Sequence, residues 1–263
     1  MSTDGEAANP GPLATFATSN ITSMETQYNK ALRIPADVLG AQEIRLTEAS
    51  QLLWARELQE SHLNCAFGKG LPETSSATSA SQGGVAIISR YPVQRINPSD
   101  ELGWWLWNAT RCVHAVVVIN SDVLIHVVCV YGYTNAARDP FQRQQNEALL
   151  NCVFAYLTGL GEVPVVLLGD LNTGRHASAM LDSALASGLY WDCAQLISEL
   201  QGEEPELTCF AKKNSPGTRV DYVIANRTMV QPHVMLSWLT LSFRTCTTLR
   251  RRRKQLLARR GES

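Results

Sequence analysis

The stretch Pro164-Val-Val-Leu-Leu-Gly-Asp170-Leu-Asn172-Thr173 decides the fold class of this 263-residue chain. Its apolar run is typical of a fully buried strand. It delivers a carboxylate and a carboxamide to the strand end, and because side chains two positions apart share a face we expect Asp170 and Asn172 to lie together. An aspartate there can order or deprotonate water, and an asparagine can donate a hydrogen bond to a phosphate oxygen. Both residue types also favour turns, so this stretch alone fits a turn cap equally well.

Candidate strands and helices extend on both sides of this stretch. The strands cluster in the middle of the chain and helices flank them, which favours a mixed two-sheet architecture over a Rossmann sheet. The chain has no Gly-rich phosphate loop and no Gly-x-Ser-x-Gly elbow, which argues against kinases and serine hydrolases. Strands are predicted at Leu13–Asn20, Ala36–Gln42, Gly83–Ser89, Cys112–Ile119, Val123–Tyr131, Val163–Leu168, Arg219–Ala225 and Val234–Leu241, and helices at Thr22–Leu32, Thr47–Ser61, Phe141–Leu160, Ser178–Ser187 and Cys193–Leu200.

The charge is distributed unevenly along the chain. Residues 250–260 hold 7 of the 23 basic residues, and Glu262 is the one acidic residue that follows them. The rest of the chain carries 16 basic and 23 acidic side chains. A domain that coats DNA without specificity would be basic throughout, so an acidic body fits a carboxylate-lined metal site at least as well. Seven scattered cysteines without a Cys-x-x-Cys pair indicate a reducing compartment and neither a zinc site nor a disulfide framework.

The sequence also predicts a domain organisation. Residues 1–12 read as a disordered leader, 13–241 as the catalytic-type domain and 242–263 as a basic tail. No apolar run reaches the length of a membrane span, and no basic residue precedes an apolar stretch at the N-terminus. We therefore expect an intracellular protein, cytoplasmic or nuclear, that is not secreted, does not bind a membrane and is monomeric.

Four further segments place polar residues at strand ends. Gln42-Glu43 ends a short apolar strand in a carboxylate, a hard oxygen ligand suited to Mg²⁺. Gly83-Gly84-Val-Ala-Ile is a glycine pair entering a buried strand, and Val127–Asn135 ends a strand at Tyr131 before a turn containing Asn135. Asp221-Tyr-Val places another carboxylate early in a strand.

In this order, the Gln-Glu, Gly-Gly-Val-Ala-Ile, Gly-Asp-Leu-Asn and Asp-Tyr-Val elements resemble the endonuclease/exonuclease/phosphatase superfamily, the deoxyribonuclease-I-like fold. The resemblance runs from about Leu13 to about Leu241. It implies a four-layer α/β/β/α sandwich of two mixed sheets flanked by helices. It also implies Mg²⁺- or Mn²⁺-dependent phosphodiester hydrolysis on DNA, most similar to exonuclease III, abasic-site and retroelement endonucleases.

The resemblance implies a role for each matching residue. Glu43 is similar to the metal-binding glutamate, and Asn20 to the asparagine that supports the metal site, although Asn20 also fits an N-cap. Asp170 resembles the residue that aligns the attacking water. Asn172 is implied to lie beside the scissile phosphate, and Asp221 to be the partner of the catalytic histidine. Tyr131 is at the place of the nuclease tyrosine, although it also fits a packed core residue. Asn135 is implied for substrate binding.

The family's closing Ser-Asp-His motif has no counterpart here. The stretch Leu241–Leu249 contains neither aspartate nor histidine, and His62, His114, His126, His176 and His233 match no catalytic position. Losing one positioned acid–base or oxyanion group typically costs about 10²–10³ in rate, so we expect impaired chemistry. We also expect the last strand of the family fold to be missing, which would expose a sheet edge. The alternatives are an inactive relic that binds nucleic acid, and a phosphatase or lipid phosphodiesterase of the same fold.

Two further clusters have alternative interpretations. Trp104, Trp105 and Trp107 can stack on nucleotide bases, but we expect such a cluster to pack a loop onto the core. Arg250 and Arg251, in the basic tail, can bind phosphate or remain solvated.

Overall fold

A computed structural model describes residues 14–72, 83–209 and 217–230, together with the backbone of 244–245. The strands in chain order are β1 (Phe16–Asn20), β2 (Val38–Gln42), β3 (Asn64–Phe67), β4 (Val85–Ser89), β5 (Val93–Arg95), β6 (Cys112–Asn120), β7 (Val123–Tyr131), β8 (Val165–Asp170), β9 (Tyr190–Asp192), β10 (Asp221–Asn226) and β11 (Arg244–Thr245). The helices are α1 (Met24–Leu32), α2 (Glu48–Glu60), α3 (Glu101–Asn108), α4 (Pro140–Gly159), α5 (Ala179–Ala186), α6 (Cys193–Gln201) and α7 (Arg227–Val230).

The strands form two mixed sheets. Sheet I has the order β11-β1-β2-β4-β3 and sheet II has the order β5-β6-β7-β8-β10-β9. Strand β1 runs parallel to β2, and β7 runs parallel to β8. Strand β10 runs antiparallel to β8 and places Asp221 opposite Asp170.

The two sheets pack face to face, and helices cover their outer faces. Alternate residues of one strand serve different layers: Val127 and Cys129 lie in the cluster between the sheets, whereas Val128 packs under the helices on sheet II. Both faces are therefore dry, which explains the nearly continuous apolar runs of these strands. A Cβ on Gly40 would lie 2.5 Å from the Leu168 Cβ, so the sheets approach too closely there for a side chain. The expected α/β/β/α sandwich is confirmed.

Helix boundaries follow local capping chemistry. Asp139 accepts hydrogen bonds from the backbone of Phe141 and Gln142 and is followed by Pro140 in the first turn, so α4 begins there. Thr47 caps α2 in the same way. Asp192 caps α6 through the amide of Ala194, as its place before a predicted helix indicated. No helix in the described part of the chain has the length and apolarity needed to cross a membrane.

The structure departs from the predictions at several places. The tryptophan cluster lies on a helix, α3, rather than in a packed loop, and Trp104 and Trp105 are largely exposed. The short strands β3, β5 and β9 were not predicted. Two residues assigned to the tail, Arg244 and Thr245, pair in parallel with β1, so the sheet edge that we expected to be open is covered over two positions. The strand predicted at Val234–Leu241 lies outside the described residues.

Candidate active site

Asn20 and Asp170 join the two sheets at one end of the sandwich. The side-chain amide of Asn20, the last residue of β1, donates a hydrogen bond of 3.0 Å to Oδ2 of Asp170, the last residue of β8, across 150 positions of sequence. The Oδ1 atom of Asn20 also accepts from the backbone of Thr22. Helix α1 has Ser23 as its N-cap, so Asn20 does not cap the helix and its amide is directed at a carboxylate instead.

Asp170 and Asn172 are brought together by a turn and not by strand alternation. Strand β8 ends at Asp170, the buried Leu171 follows, and Asn172 adopts a φ of 51°. The Asn172 amide donates to Asp170 Oδ1 at 3.2 Å, and its side-chain amide donates to the Gly132 carbonyl at 3.0 Å. Asp170 and Asn172 therefore lie together as predicted, but not through strand alternation, because the strand ends at Asp170 and Asn172 lies in the turn beyond it.

Glu43 follows β2 at the same end of sheet I. It is 8% exposed, adopts a φ of 57° and forms an ion pair with Arg45. The predicted glycine pair fixes this turn, because the Ile44 and Arg45 amides donate to the carbonyls of Gly84 and Gly83 at 3.2 Å. Burial raises the pKa of Asp170, the hydrogen bonds from Asn20 and Asn172 act in the opposite direction, and the charge of Glu43 raises the pKa further, so the two carboxylates lie within electrostatic range of each other.

Tyr131 is a buried residue whose hydroxyl points into the same group of side chains. Its ring is fully buried at the end of β7, and its hydroxyl has no hydrogen-bond partner that meets normal geometry among the described residues. Burial, followed by the negative charges of Glu43 and Asp170, raises the pKa of Tyr131. The charge of Arg111 and the Asn20 side chain act in the opposite direction, and because a buried hydroxyl without a well-formed hydrogen bond is costly, this one can take a ligand as its partner.

Arg111 is a cation of this site that the sequence interpretation missed. Its guanidinium lies 5.1 Å from the ring centroid of Tyr131 and 4.2 Å from that of Tyr133, and donates to the carbonyls of Tyr131 and Gly132. Burial lowers the pKa of Arg111, and the tyrosines and Glu43 act in the opposite direction. The available signal was an arginine just before the first strand of a predicted hairpin, because hairpin pairing brings the start of that strand beside the end of the second, where the two tyrosines lie.

Asp221 completes a pair of facing carboxylates with Asp170. Burial first, and then the charge of Asp170, raises the pKa of Asp221 to about 7. A hydrogen bond from Thr208 and the charge of Arg219 act in the opposite direction. Arg219 itself is ion-paired to Asp192. Asp170 disfavours the ionisation of the facing Asp221, and such a pair of carboxylates attracts positive charge.

The oxygen donors of this group fit a divalent cation of the magnesium type. Mg²⁺ is commonly held by one or two carboxylates, with water and substrate phosphate completing its shell. Glu43 and Asp170 supply carboxylate oxygens and Asn20 supplies an amide. Within the described ranges, no group of three or more His, Cys, Asp or Glu side chains is arranged to enclose a metal. The donor set therefore suits an open, partly hydrated cation, and a fully enclosed site is not formed.

The remaining predicted residues lie at the margin or outside the described chain. Asn135 is exposed on the loop that leaves β7, where its carbonyl accepts from Arg138 and Asp139 at 2.8 and 2.9 Å. Arg250, Arg251 and the side chains of 241–249, where the closing motif was sought, are outside the described residues.

Asn146 is a second contributor that the sequence interpretation missed. This fully buried residue of α4 accepts from the Tyr133 amide at 2.8 Å and donates to the Leu171 carbonyl at 2.9 Å. It therefore ties together the loops that follow β7 and β8. Helical periodicity places it on the buried face, but its polar partners come from distant segments and leave no local signal.

Comparison with known proteins agrees with this architecture. Residues 17–243 match the model of the endonuclease/exonuclease/phosphatase family. Similar solved structures include the 3′ phosphatase NExo from Neisseria bound to product DNA hairpin, with 21% identity and a TM-score of 0.57 over 81% of this chain and 86% of that one. Another is an AP endonuclease from Archaeoglobus fulgidus, with 17% identity and a TM-score of 0.58 over 82% of this chain and 87% of that one. The APE2 catalytic domain of Xenopus laevis is also similar, with 17% identity and a TM-score of 0.56 over 81% of this chain and 82% of that one. No curated protein sequence matches this chain.

Proposed function

The chain belongs to the endonuclease/exonuclease/phosphatase family, and on that premise we propose that it hydrolyses phosphodiester bonds in DNA with Mg²⁺ or Mn²⁺. Membership places the chain among hydrolases of the nuclease and phosphatase type. The choice of DNA, of the metal and of the residues below is our proposal. We further propose that residues 13–241 form the acting domain, as a monomer, and that the tail carries Arg250 and Arg251 as phosphate contacts.

The observation that carries the proposal is the hydrogen bond between Asn20 and Asp170. It joins the ends of two strands from different sheets and directs an amide toward a buried carboxylate that Glu43 also influences. A buried carboxyl whose pKa is raised by burial and that is held by a side chain from another sheet is more frequent at functional sites than elsewhere. This hydrogen bond supports grouping Asp170 and Glu43, which were noted at strand ends in the sequence, with Asn20, which the family resemblance implied.

The residues of this group can perform distinct tasks in hydrolysis. Asp170 can accept a hydrogen bond from the attacking water and take up its proton, because its raised pKa brings it closer to the operating pH. One side-chain N–H of Asn172 donates to the Gly132 carbonyl, and the other can donate to a phosphate oxygen. The Tyr131 hydroxyl, which makes no well-formed hydrogen bond among the described residues, can donate to the same phosphate.

Glu43 and Asn20 are the proposed metal-holding residues. A divalent cation bound there supplies Lewis-acid polarisation of the phosphoryl oxygens. Arg45 must share or release Glu43 when a cation binds, because the two side chains are ion-paired. Added positive charge favours the ionised form of both facing carboxyls, since burial raises the pKa of Asp170 and of Asp221 and the charge of Asp170 raises that of Asp221 further.

We propose that the activity is impaired relative to a complete member of the family. Asp221 resembles the residue that orients the family's histidine, but no histidine follows within Leu241–Leu249. The loss of one positioned acid–base or oxyanion group corresponds to about 10²–10³ in rate.

The test is nicking of supercoiled plasmid and of an abasic-site oligonucleotide, with Mg²⁺ and with a chelator. We expect slow nicking that the chelator abolishes, and a further loss of about 10²-fold or more in Glu43→Gln and Asp170→Asn. Matched controls are Glu60→Gln at the exposed end of α2 and Asp122→Asn in the β6–β7 hairpin, which should retain full activity. Nicking at the wild-type rate in both site variants would remove the assignment.

A second candidate, binding of nucleic acid without cleavage, is favoured by the absent closing motif and by the pairing of Glu43 with Arg45. It predicts no chelator-sensitive product from the wild type, together with salt-dependent DNA binding that weakens when residues 250–263 are deleted. Including a 3′-phosphorylated oligonucleotide and a phospholipid among the substrates distinguishes the phosphatase and lipid phosphodiesterase alternatives.

A further inference from the structure

The exposed face of α3 carries two adjacent tryptophans. Trp104 and Trp105 are 51% and 44% exposed, whereas Gly103 and Leu106 of the same helix are buried. Helical spacing puts Asn108 on the same face, three and four residues further on. Two large indoles side by side on a surface, with a polar neighbour one turn away, are typical of a binding surface and not of a folding core.

The C-terminal end of α3 is attached to the candidate active site. The Thr110 carbonyl accepts from the Gly84 amide at 3.1 Å, and the neighbouring Gly83 carbonyl accepts from the Arg45 amide. Arg45 in turn is ion-paired to Glu43. From Trp104 to Asn108 is one helical turn, roughly 6 Å along the axis. Thr110, which makes this contact, follows Trp105 by five residues, so the tryptophan-bearing helix leads directly into the backbone that fixes Glu43.

A lysine supplies positive charge at the end of this face that is nearer to the site. Lys69, which follows β3, donates from Nζ to Asn108 Oδ1 at 2.8 Å. Strand β3 runs antiparallel to β4 and β4 antiparallel to β2, so β3 ends at the same edge of sheet I as β2 and Glu43. Arg95 lies over the ring of Trp107, next to Trp104 on the helix, at 5.0 Å.

We infer that Trp104 and Trp105, with Lys69, bind unpaired nucleotides of the nucleic-acid substrate beside the cleavage site. Exposed indoles stack on bases of any sequence, and a lysine neutralises the intervening phosphate. Bases inside a duplex have both faces occupied by their neighbours, so a helix-borne stacking surface selects a single-stranded segment, a flap or an end. This inference rests on the proposed function and adds the substrate class.

The experiment measures binding without cleavage. Fluorescence anisotropy of a labelled single-stranded oligothymidine and of a labelled duplex is recorded in EDTA for the full chain. We expect Trp104→Ala and Trp105→Ala each to weaken binding of the single strand roughly tenfold, and the double variant about a hundredfold. Binding of the duplex should change by less than about threefold. Lys69→Ala should weaken both and reduce the salt slope by about one.

Matched controls lie elsewhere on the molecule. Trp191 on β9, which pairs with the far end of β10, serves as the aromatic control, and Lys30 in the last turn of α1 as the charge control. Trp191→Ala and Lys30→Ala should bind like the wild type, and thermal unfolding of every variant verifies folding. The inference is overturned if the wild type does not bind the single strand, if the double variant binds it like the wild type, or if the double variant loses single strand and duplex equally. Because EDTA removes cleavage, plasmid nicking tests the proposed function separately.

Discussion

Asn146 allows the link between stability and site geometry to be tested at one residue. It is 1% exposed, and its amide bridges the Tyr133 N–H and the Leu171 C=O, which belong to the loops carrying Gly132 and Asn172. The substitution Asn146→Leu preserves the shape of the side chain and removes both hydrogen bonds. It leaves one donor and one acceptor buried without partners.

The cost follows from these two groups. Each buried polar group left unpaired costs about 1–3 kcal/mol, so we expect Asn146→Leu to lower the free energy of unfolding by about 2–6 kcal/mol. This is a large part of the roughly 5–15 kcal/mol that stabilises a typical domain. For a domain of this size it corresponds to a fall in Tm of roughly 5–15 °C.

The assay is urea unfolding followed by circular dichroism, with Asn151→Leu as the matched control. Asn151 is on the same helix but exposed, so its substitution should change the free energy of unfolding by less than about 0.5 kcal/mol. Plasmid nicking of Asn146→Leu should also fall, since Asn172 is anchored through the same loops. Equal stability of the two leucine variants would refute the reasoning, because burial and hydrogen bonding are the only differences on which it depends.

Three further outcomes are expected. His114 is hydrogen-bonded to Tyr156 and His126 at 2.8 and 2.9 Å, and burial, followed by His126, lowers its pKa to about 4. Because the folded state binds this proton less well than the unfolded state, the free energy of unfolding should fall by about 2 kcal/mol from pH 7 to pH 5. Calorimetry on His114→Gln should show a smaller fall. A Cβ on Gly132 would collide with the backbone of Leu171, so Gly132→Ala should destabilise by about 3 kcal/mol in denaturant unfolding, whereas Gly159→Ala, with no atom within 4 Å, should not. Asn20→Ala should slow nicking roughly 10–100-fold, whereas the exposed Asn29→Ala should not slow it, and an unchanged rate in Asn20→Ala would contradict the supporting role of Asn20.

The sequence alone was sufficient for the layers of the fold and for most members of the candidate site. Buried strands such as β7 and β8 are continuous apolar runs, since both of their faces are dry, and α4 begins where Asp139-Pro140 provides a cap. Short edge strands escaped prediction: β5 and β9 have three residues each, too few for a periodic pattern. Helix α3 was missed because its tryptophans suggested a packed loop.

What determined the candidate site was the tertiary structure. The sequence supplied a list of carboxylates and amides at strand ends, whereas the meeting of Asn20 with Asp170 depends on how two sheets stack, which no local pattern encodes. Arg111 and Asn146 were missed for the same reason: their partners are backbone groups of distant loops. The burial of a strand or helix face leaves a regular apolar pattern in its own segment, so it can be read from the local sequence. The hydrogen-bond partners and the charges around a polar side chain come from residues far along the chain, so they cannot be read locally.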